Sequence, residues 1–202
     1  LLGDSTLHPV IASSEEESLE SWLKTYFGEG DGEDLTIVDL SLVPSETLHV
    51  VAAVISRMLL EGLQRFRKAS GGQPLPTVLV MDEAHTFISR YHSDSEFQSA
   101  QELCSRTFEK IAREGRKFGL GLVLASQRPS ELSPTVLSQC NSFMLHRLTS
   151  GADQDIVYRL LPEATRGVLA DLPSLPSRRA VLLGWASELP VAVEIRELPS
   201  SQ

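Results

Sequence analysis

A short apolar segment that ends in two adjacent carboxylates constrains the fold of this chain more than any other feature. Thr77–Met81 consists of apolar or β-branched residues, and glycines and prolines precede it. The run is too short for a helix, so it predicts a strand that is buried on both faces inside a parallel sheet. Asp82 and Glu83 follow at once. Because open α/β sheets bind ligands at the carboxyl ends of their strands, the two acids are predicted to lie at a ligand-binding edge.

Apolar runs and helical periodicities alternate along the rest of the chain. Strands are predicted at 35–40, 120–125 and 143–148, helices at 44–68, 96–117, 134–139, 152–161 and 164–170, and a closing hairpin at 180–185 and 191–195. This alternation predicts an α/β fold with a mostly parallel sheet, flanking helices and a C-terminal β-hairpin. The predicted units are an acidic segment at 1–34 with an edge strand and a helix, a core at 35–177, and the hairpin with its tail at 178–202.

The negative charge of the chain is concentrated at one end. Residues 1–34 contribute −8 of the net charge of −9, so the total argues neither for nor against nucleic-acid binding. Cys104 and Cys140 lie far apart without metal-ligand spacing and are interpreted as free thiols in a reducing, cytoplasmic environment. No apolar run approaches the roughly 20 residues that cross a bilayer, so no membrane association is predicted.

Polar side chains also follow the later strands. Gln127 comes after the apolar run at 120–125, and Arg147 lies near the end of the run at 143–148. Exits of parallel strands share one sheet edge, so both are predicted to converge on Asp82 and Glu83. In P-loop NTPases the first acid at such an edge, the Walker B position, helps to hold Mg²⁺, and the second can polarise the attacking water. A strand that ends in solvated acids, beside an amide that satisfies loop backbone, would explain the same pattern without a site.

A cluster of bases ends the helix predicted at 96–117. Arg113, Arg116 and Lys117 share one helical face, just before the strand that presents Gln127. Cations near a helix C-terminus complement its dipole by a few tenths to ~1 kcal/mol, which explains part of the cluster. The other interpretation is an arginine supplied in trans to a phosphate. A loop that would cradle the phosphates is missing, since the sequence has no G-x-x-x-x-G-K-[ST] and no lysine follows a glycine.

Several motifs together resemble the HerA-type branch of the HerA/FtsK superfamily of DNA-translocating ATPases. In chain order they are Ile37–Ser41, Val78–His85, Ile111–Gly119, Ala125–Ser133, Val136–Asn141, Arg147–Gln154 and Leu172–Leu175. The resemblance implies a RecA-like P-loop NTPase core that uses ATP and Mg²⁺ and assembles as a hexameric ring. It also implies movement of duplex DNA through the ring pore, often with a nuclease partner.

The resemblance implies roles for individual residues as well. Asp82 would belong to the Mg²⁺ shell, Glu83 would be the catalytic carboxylate, and Gln127 would be the polar sensor. Arg113 or Arg116 would be the finger that completes the site of a neighbouring subunit, and the sequence does not decide between them.

Arg147 would lie near the nucleotide. The phosphate loop of the family lies upstream of every motif present here, and the chain begins with Leu1 rather than methionine. We therefore interpret the chain as the C-terminal half of such an ATPase, with an unpaired sheet edge beside the strand at 77–81. Alone, it is expected neither to bind ATP tightly nor to hydrolyse it. The rival hypothesis is a non-catalytic module without a P-loop, which supplies an arginine in trans and serves ring assembly or partner docking.

Other motor families share parts of this pattern. Asp82–His85 also spells the DEAH box of superfamily 2 helicases, but the Ser-Ala-Thr and arginine-glycine motifs expected after it are missing. A conjugation pump of the VirD4 type or a packaging motor would be the same class with another cargo. Arg90, in a polar loop, and the segment after Arg128 are candidates for pore loops, and phosphate contact there would make DNA binding strongly salt-dependent.

Overall fold

The computed structural model describes residues 35–90, 97–161 and 166–197, so the acidic segment at 1–34 lies outside it. Its elements are α1 (Ser45–Ala69), β1 (Thr77–Met81), α2 (Phe97–Glu114), β2 (Leu120–Leu124), α3 (Pro134–Leu137), β3 (Ser142–Leu145), α4 (Gly151–Leu160), α5 (Arg166–Leu169), β4 (Arg179–Gly184) and β5 (Ser187–Glu194). Single 3-10 turns lie at 84–86, 115–118, 129–131 and 172–174. The predicted class, α/β with a parallel sheet, is confirmed.

Two long helices form the first part of the core. Pro44 precedes the first turn of α1, where its fixed φ suits a helix start, and basic residues in the last turn suit the negative end. Helix α1 packs against α2, and α2 also contacts β2. Leu60 and Leu63 of α1 and Phe108 and Ile111 of α2 are almost fully buried. No helix in the described part of the chain is long and apolar enough to cross a membrane.

Strands β1 and β2 pair in parallel, in register from Thr77 opposite Leu120 to Met81 opposite Leu124. One face of this pair is bare. Val78 and Val80 are 64% and 61% exposed, and Val123, on the same face, is 48% exposed. The prediction that β1 is buried on both faces is therefore wrong. No element among the described residues covers the second face, although parallel sheets are normally covered on both.

Strands β3, β4 and β5 form a separate antiparallel sheet in that order. The prediction that the strand near 143–148 continues the parallel sheet is thus wrong, because β3 pairs with β4 and with no other described strand. A cluster of buried apolar residues packs around this sheet: Val157, Leu161, Leu169, Leu172, Val181 and Leu183. The predicted loop at 186–190 is also wrong, since β5 already begins at Ser187 after a two-residue turn.

The described residues before Pro44 belong to a separate compact unit. They contain no strand, and Leu35 and Ile37 are 71% and 82% exposed. The strand predicted at 35–40 is therefore wrong. An apolar run becomes a strand only when its backbone pairs with a neighbouring strand, and no described strand pairs with this segment. The Ser41 N–H instead donates to Asp39 Oδ1 (2.9 Å), a local bond.

Candidate active site

Strand β1 ends in a tight turn that carries the two acids. Glu83 adopts the left-handed conformation, with φ 46° and ψ 45°, at a cost of about 1–2 kcal/mol for a residue with a side chain. Its N–H donates to Asp82 Oδ1 (2.9 Å), and the N–H of Ala84 donates to the carbonyl of Ala125 at the end of β2 (2.9 Å). Backbone strain of this kind is concentrated at functional sites in proteins.

The exit of β2 brings an amide and a hydroxyl to these acids. Gln127 Nε2 donates to Glu83 Oε1 at 2.8 Å. His85 Nδ1 lies 3.4 Å from Glu83 Oε2 and 3.2 Å from Ser126 Oγ. The two strand exits therefore converge, and the Glu83 carboxylate faces polar side chains with both oxygens. Sequence reasoning missed His85 as a member of this cluster; its place two residues after Glu83, on a single 3-10 turn, is the signal that could have identified it.

The segment after Gln127 is fixed to α4. The Arg128 N–H donates to Ser126 Oγ (3.1 Å), and the Arg128 guanidinium pairs with Glu131 (2.9 Å). The Ser130 N–H donates to Asp153 Oδ1 at 2.9 Å. Burial by itself raises the pKa of the Asp153 carboxyl, but the Ser130 hydrogen bonds and the charge of Arg128 help to hold that pKa below its ordinary value. A buried carboxylate thus secures the loop that follows Gln127.

The two candidate finger arginines lie at the other end of β2. Arg113 is tied to its own helix, since its Nε donates to the Glu109 carbonyl (3.3 Å) and its Nη2 lies 3.9 Å from Glu109 Oε2. Arg116 instead places its guanidinium carbon 5.5 Å from the ring centre of Trp185, and it forms no salt bridge with any described residue. A five-residue strand is about 16 Å long, so neither arginine reaches the acids of its own chain.

The turn that carries Arg116 is held from α1. Arg67 Nη1 donates to the Lys117 carbonyl, its Nε donates to the Gly72 carbonyl (3.1 Å), and its guanidinium lies 6.0 Å from the centre of the Phe118 ring. The turn ends at Gly119, whose φ of 84° and close approach to the carbonyl of Leu75 leave no room for a side chain. The backbone around Arg116 is therefore well fixed.

An open cleft of about 1230 Å³ separates the two sheets, between the segments 120–127 and 141–148. We call it the inter-sheet cleft. Asp82, Gln127 and Arg147 all line it. The rule that parallel strands share one edge does not apply to Arg147, however, because β3 does not pair with β2.

A resident metal site is absent from the described residues, which contain no group of three or more His, Cys, Asp or Glu able to hold a metal ion. Asp82 offers one exposed carboxylate. Mg²⁺ in nucleotide enzymes usually keeps several waters and is bound by one or two carboxylates together with substrate phosphates. Asp82 therefore fits an Mg²⁺ ion that arrives with a nucleotide.

Two other predicted features have clear positions. Cys104 and Cys140 are free thiols, and burial raises the pKa of Cys104 to about 12.

Arg90 borders a small hollow of about 370 Å³ together with Arg159, Glu131 and Asp155. This mixture of charges differs from the basic patch that is typical of phosphate contacts. The remainder of the candidate pore loop, at 91–95, lies outside the described residues.

No family model matches the chain. A probable helicase of Methanocaldococcus jannaschii is 30% identical over 184 residues, which are 86% of this chain and 34% of the relative. The probable DNA double-strand break repair helicase HerA of the same organism is 41% identical over 120 residues, 59% of this chain and 22% of the relative. The HerA helicase of Saccharolobus solfataricus is 27% identical over 162 residues, 80% of this chain and 31% of the relative. At its longest matches the chain spans about a third of these relatives.

Solved structures share the fold. The pCW3 conjugation coupling protein TcpA, solved with ATPγS, superposes with a TM-score of 0.54 at 15% identity, over 77% of this chain and 49% of that chain. The genome packaging NTPase B204 of Sulfolobus turreted icosahedral virus 2, in complex with AMPPCP, gives 0.52 at 16% identity, over 72% and 63%. At such identities the likeness concerns the fold alone, and it agrees with the predicted P-loop NTPase class.

Proposed function

We propose that this chain, which is related in sequence to the HerA helicases as its motifs predicted, is part of an ATP-driven, ring-forming machine that moves duplex DNA. The observation that carries the proposal is the contact between Glu83 and Gln127 at the converging ends of β1 and β2. A strained acid with a neighbouring amide is the pair needed to orient a water molecule for attack on a terminal phosphate.

Each polar group at this edge has a proposed task. Glu83 accepts a hydrogen bond from the attacking water, and Gln127 holds that water or touches the γ-phosphate. Asp82 belongs to the shell of an Mg²⁺ ion, which when bound neutralises charge on the phosphates. Arg147, which lines the same cleft, contacts the nucleotide.

An arginine from a neighbouring copy completes the proposed site. Arg116 is the better candidate, because Arg113 is engaged by Glu109 whereas the Arg116 guanidinium has only the Trp185 ring as a partner among the described residues. Acids at one end of β2 and an arginine at the other suit head-to-tail contacts between copies. Such contacts generate closed rings when the rotation closes. A hexamer is the expected size.

The phosphates require a loop that this sequence does not contain. We propose that polypeptide upstream of residue 1 supplies it, so the 202-residue chain alone should not hydrolyse ATP. The missing loop also favours a second candidate, a non-catalytic module that supplies Arg116 in trans for ring assembly or partner docking. The two candidates differ in two respects: in the module no phosphate loop is supplied upstream, and Glu83 and Gln127 have no role in turnover.

Mixed rings test the proposal. In a full-length chain that contains this sequence and a phosphate loop, Glu83→Gln and Arg116→Ala should each lower kcat by about 10³-fold or more. Mixing the two inactive variants should restore part of the activity, because an Arg116→Ala subunit keeps Glu83 and can receive an arginine from its Glu83→Gln neighbour. Arg113→Ala is the control and should retain most activity. Full activity of the Glu83→Gln variant would favour the non-catalytic module, and no recovery on mixing would contradict the finger in trans.

A further inference from the structure

The two oxygens of the Glu83 carboxylate differ in their surroundings. Oε1 accepts a hydrogen bond from Gln127 Nε2 at 2.8 Å. Oε2 is buried, and no group in the described part of the chain donates a hydrogen bond of normal geometry to it. A carboxylate oxygen that is shielded from water without a donor destabilises the fold, so buried polar atoms in proteins are nearly always satisfied. A donor is therefore required beside Oε2.

The imidazole of His85 is the group that lies beside this oxygen. Its Nδ1 is 3.4 Å from Glu83 Oε2 and 3.2 Å from Ser126 Oγ. Both distances are longer than the ~2.8 Å of a strong charge-assisted hydrogen bond. They fit a single proton that is shared between two acceptors. The His85 side chain is only 21% exposed, so water does not readily replace it as a partner.

The backbone on both sides of His85 is held in place. His85 is the middle residue of the 3-10 turn that follows Glu83. The Ala84 N–H donates to the Ala125 carbonyl (2.9 Å), and His49 Nε2 in α1 donates to the Thr86 carbonyl (2.9 Å). Strand β2 and helix α1 thus fix the turn from two directions. The position of the His85 ring is a property of the fold and not of a mobile surface side chain.

The neighbours of Nδ1 decide which nitrogen of His85 carries the proton. A neutral imidazole donates through one nitrogen and accepts through the other. If Nδ1 were the acceptor, its lone pair would face the negatively charged Oε2, and that oxygen would have no donor. The Ser126 hydroxyl does not need Nδ1 as an acceptor. Its Oγ accepts from the Arg128 N–H (3.1 Å) and has a second lone pair for a proton on Nδ1.

We propose that His85 is a positioning residue that carries its proton on Nδ1 and holds Oε2 of Glu83, while Gln127 holds Oε1. Donors on both oxygens fix the plane of the carboxylate. Because Oε2 is buried, Oε1 is the oxygen that an attacking water can approach. Orientation of this kind matters, since a misplacement of about 1 Å can lower a rate by roughly 10²-fold.

The same proton position gives Ser126 a task. When Nδ1 donates, the Ser126 hydroxyl keeps its own proton, and Ser126 lines the inter-sheet cleft. The hydroxyl can then donate to a phosphate oxygen that occupies the cleft. These catalytic consequences rest on the proposed function, whereas the position of the His85 proton does not.

Nitrogen NMR of the 202-residue chain tests the proton position without nucleotide. At about pH 8.5, where imidazole rings are ordinarily neutral, the ring nitrogens report which of them is protonated. The signal that His85→Asn removes identifies the ring. A proton on Nδ1, alone or together with one on Nε2, supports the proposal, and a bare Nδ1 overturns it. His49 is the internal control, because its Nε2 faces a carbonyl, which only accepts, and should carry a proton.

Two variants of the same chain test the cause of the proton position. Ser126→Ala leaves the carboxylate, so the proton should stay on Nδ1. In Glu83→Ala the Ser126 hydroxyl remains and can donate to a bare Nδ1, so the proton should move to Nε2 in a measurable fraction of molecules. An unchanged proton in Glu83→Ala would show that Glu83 does not set it and would overturn the assignment.

Turnover tests the positioning role in a full-length chain that contains this sequence and a phosphate loop. His85→Ala should lower kcat about tenfold or more and leave KM for ATP nearly unchanged, because His85 acts on the carboxylate and not on the substrate. His85→Asn places an amide N–H near the position of Nδ1 and should restore most of kcat. His85→Gln carries the same amide one methylene further out and should not.

The results separate this inference from the proposed function. If Glu83→Gln is inactive while His85→Ala retains full kcat, His85 does not position Glu83. Equal losses in His85→Asn and His85→Gln, or a loss in KM alone, would also overturn the role, since they indicate a merely structural residue. Full activity of Glu83→Gln would contradict the proposed function instead, and the NMR result would still decide where the His85 proton lies.

Discussion

The left-handed backbone at Glu83 predicts that a glycine variant is more stable than an alanine variant at this position, the reverse of the usual order of stability. Glu83→Ala and Glu83→Gly remove the same carboxylate and the same hydrogen bond from Gln127, so their difference isolates the backbone. A left-handed residue with a Cβ costs about 1–2 kcal/mol. Glycine avoids this cost but loses about 0.5–1 kcal/mol of extra chain entropy on folding. The Glu83→Gly chain should therefore be more stable than the Glu83→Ala chain by roughly 0.5–1 kcal/mol.

Glu61 provides the matched control for this pair. It is also an acid with one side-chain partner, Arg57, but it lies in the middle of α1. There Ala should be more stable than Gly by about 1 kcal/mol. Urea denaturation of the four variants of the 202-residue chain, analysed with one common slope, measures both differences. If the alanine variant is more stable than the glycine variant at both positions, the inference that Glu83 is held in a strained conformation is refuted.

Three further predictions concern the surroundings of the site. Gly119→Ala should lower the free energy of unfolding by about 2 kcal/mol or more in urea, because it combines a left-handed residue with a backbone clash; a smaller loss would show that the turn can shift. Asp153→Asn should lower the free energy of unfolding by about 1–2 kcal/mol at pH 7, where the carboxylate accepts its hydrogen bonds. Because the folded-state pKa of Asp153 is lowered, this difference from the parent chain should disappear as the pH falls below about 4. Asp155→Asn, exposed on the same helix, should change the stability little at either pH. Arg67→Lys should lower the melting temperature although the charge is kept, because an ammonium lacks the planar fork that reaches two carbonyls, whereas Arg65→Lys should have little effect.

The sequence was most informative where short-range chemistry decides structure. β1 and β2 were located because glycines, prolines and polar residues bound two short apolar runs. Their predicted parallel pairing made it possible to infer that Gln127 would approach Glu83. Helix α1 was located because apolar residues recur with helical period from Leu48 to Phe66. The exposure of Val78 and Val80 was not foreseen. An apolar run indicates that a strand can be buried, but it does not reveal which element packs against each face.

Most of the errors concern contacts that a segment makes with other parts of the chain. The run at 35–40 has the composition of β1 but no described partner strand, and no pattern within the run itself reveals this. The turn after β4 was placed too late because Pro190 suggests a loop. Proline is accommodated there because β5 pairs with β4 alone among the described strands and so lies at the edge of that sheet. The choice between Arg113 and Arg116 depended on Glu109 and Trp185, whose proximity is a property of the fold.

Strand β2 has a consequence for how neighbouring copies would communicate. It begins at Leu120, two residues after the fixed turn of Arg116, and ends at Leu124, three residues before Gln127. If each copy lends Arg116 to the next, this strand is a rigid spacer of about 16 Å between two consecutive nucleotides. Loss of a γ-phosphate beside Gln127 would then displace the Arg116 that the same copy contributes to the neighbouring site. The order in which the subunits of a ring hydrolyse ATP would then depend on this one strand.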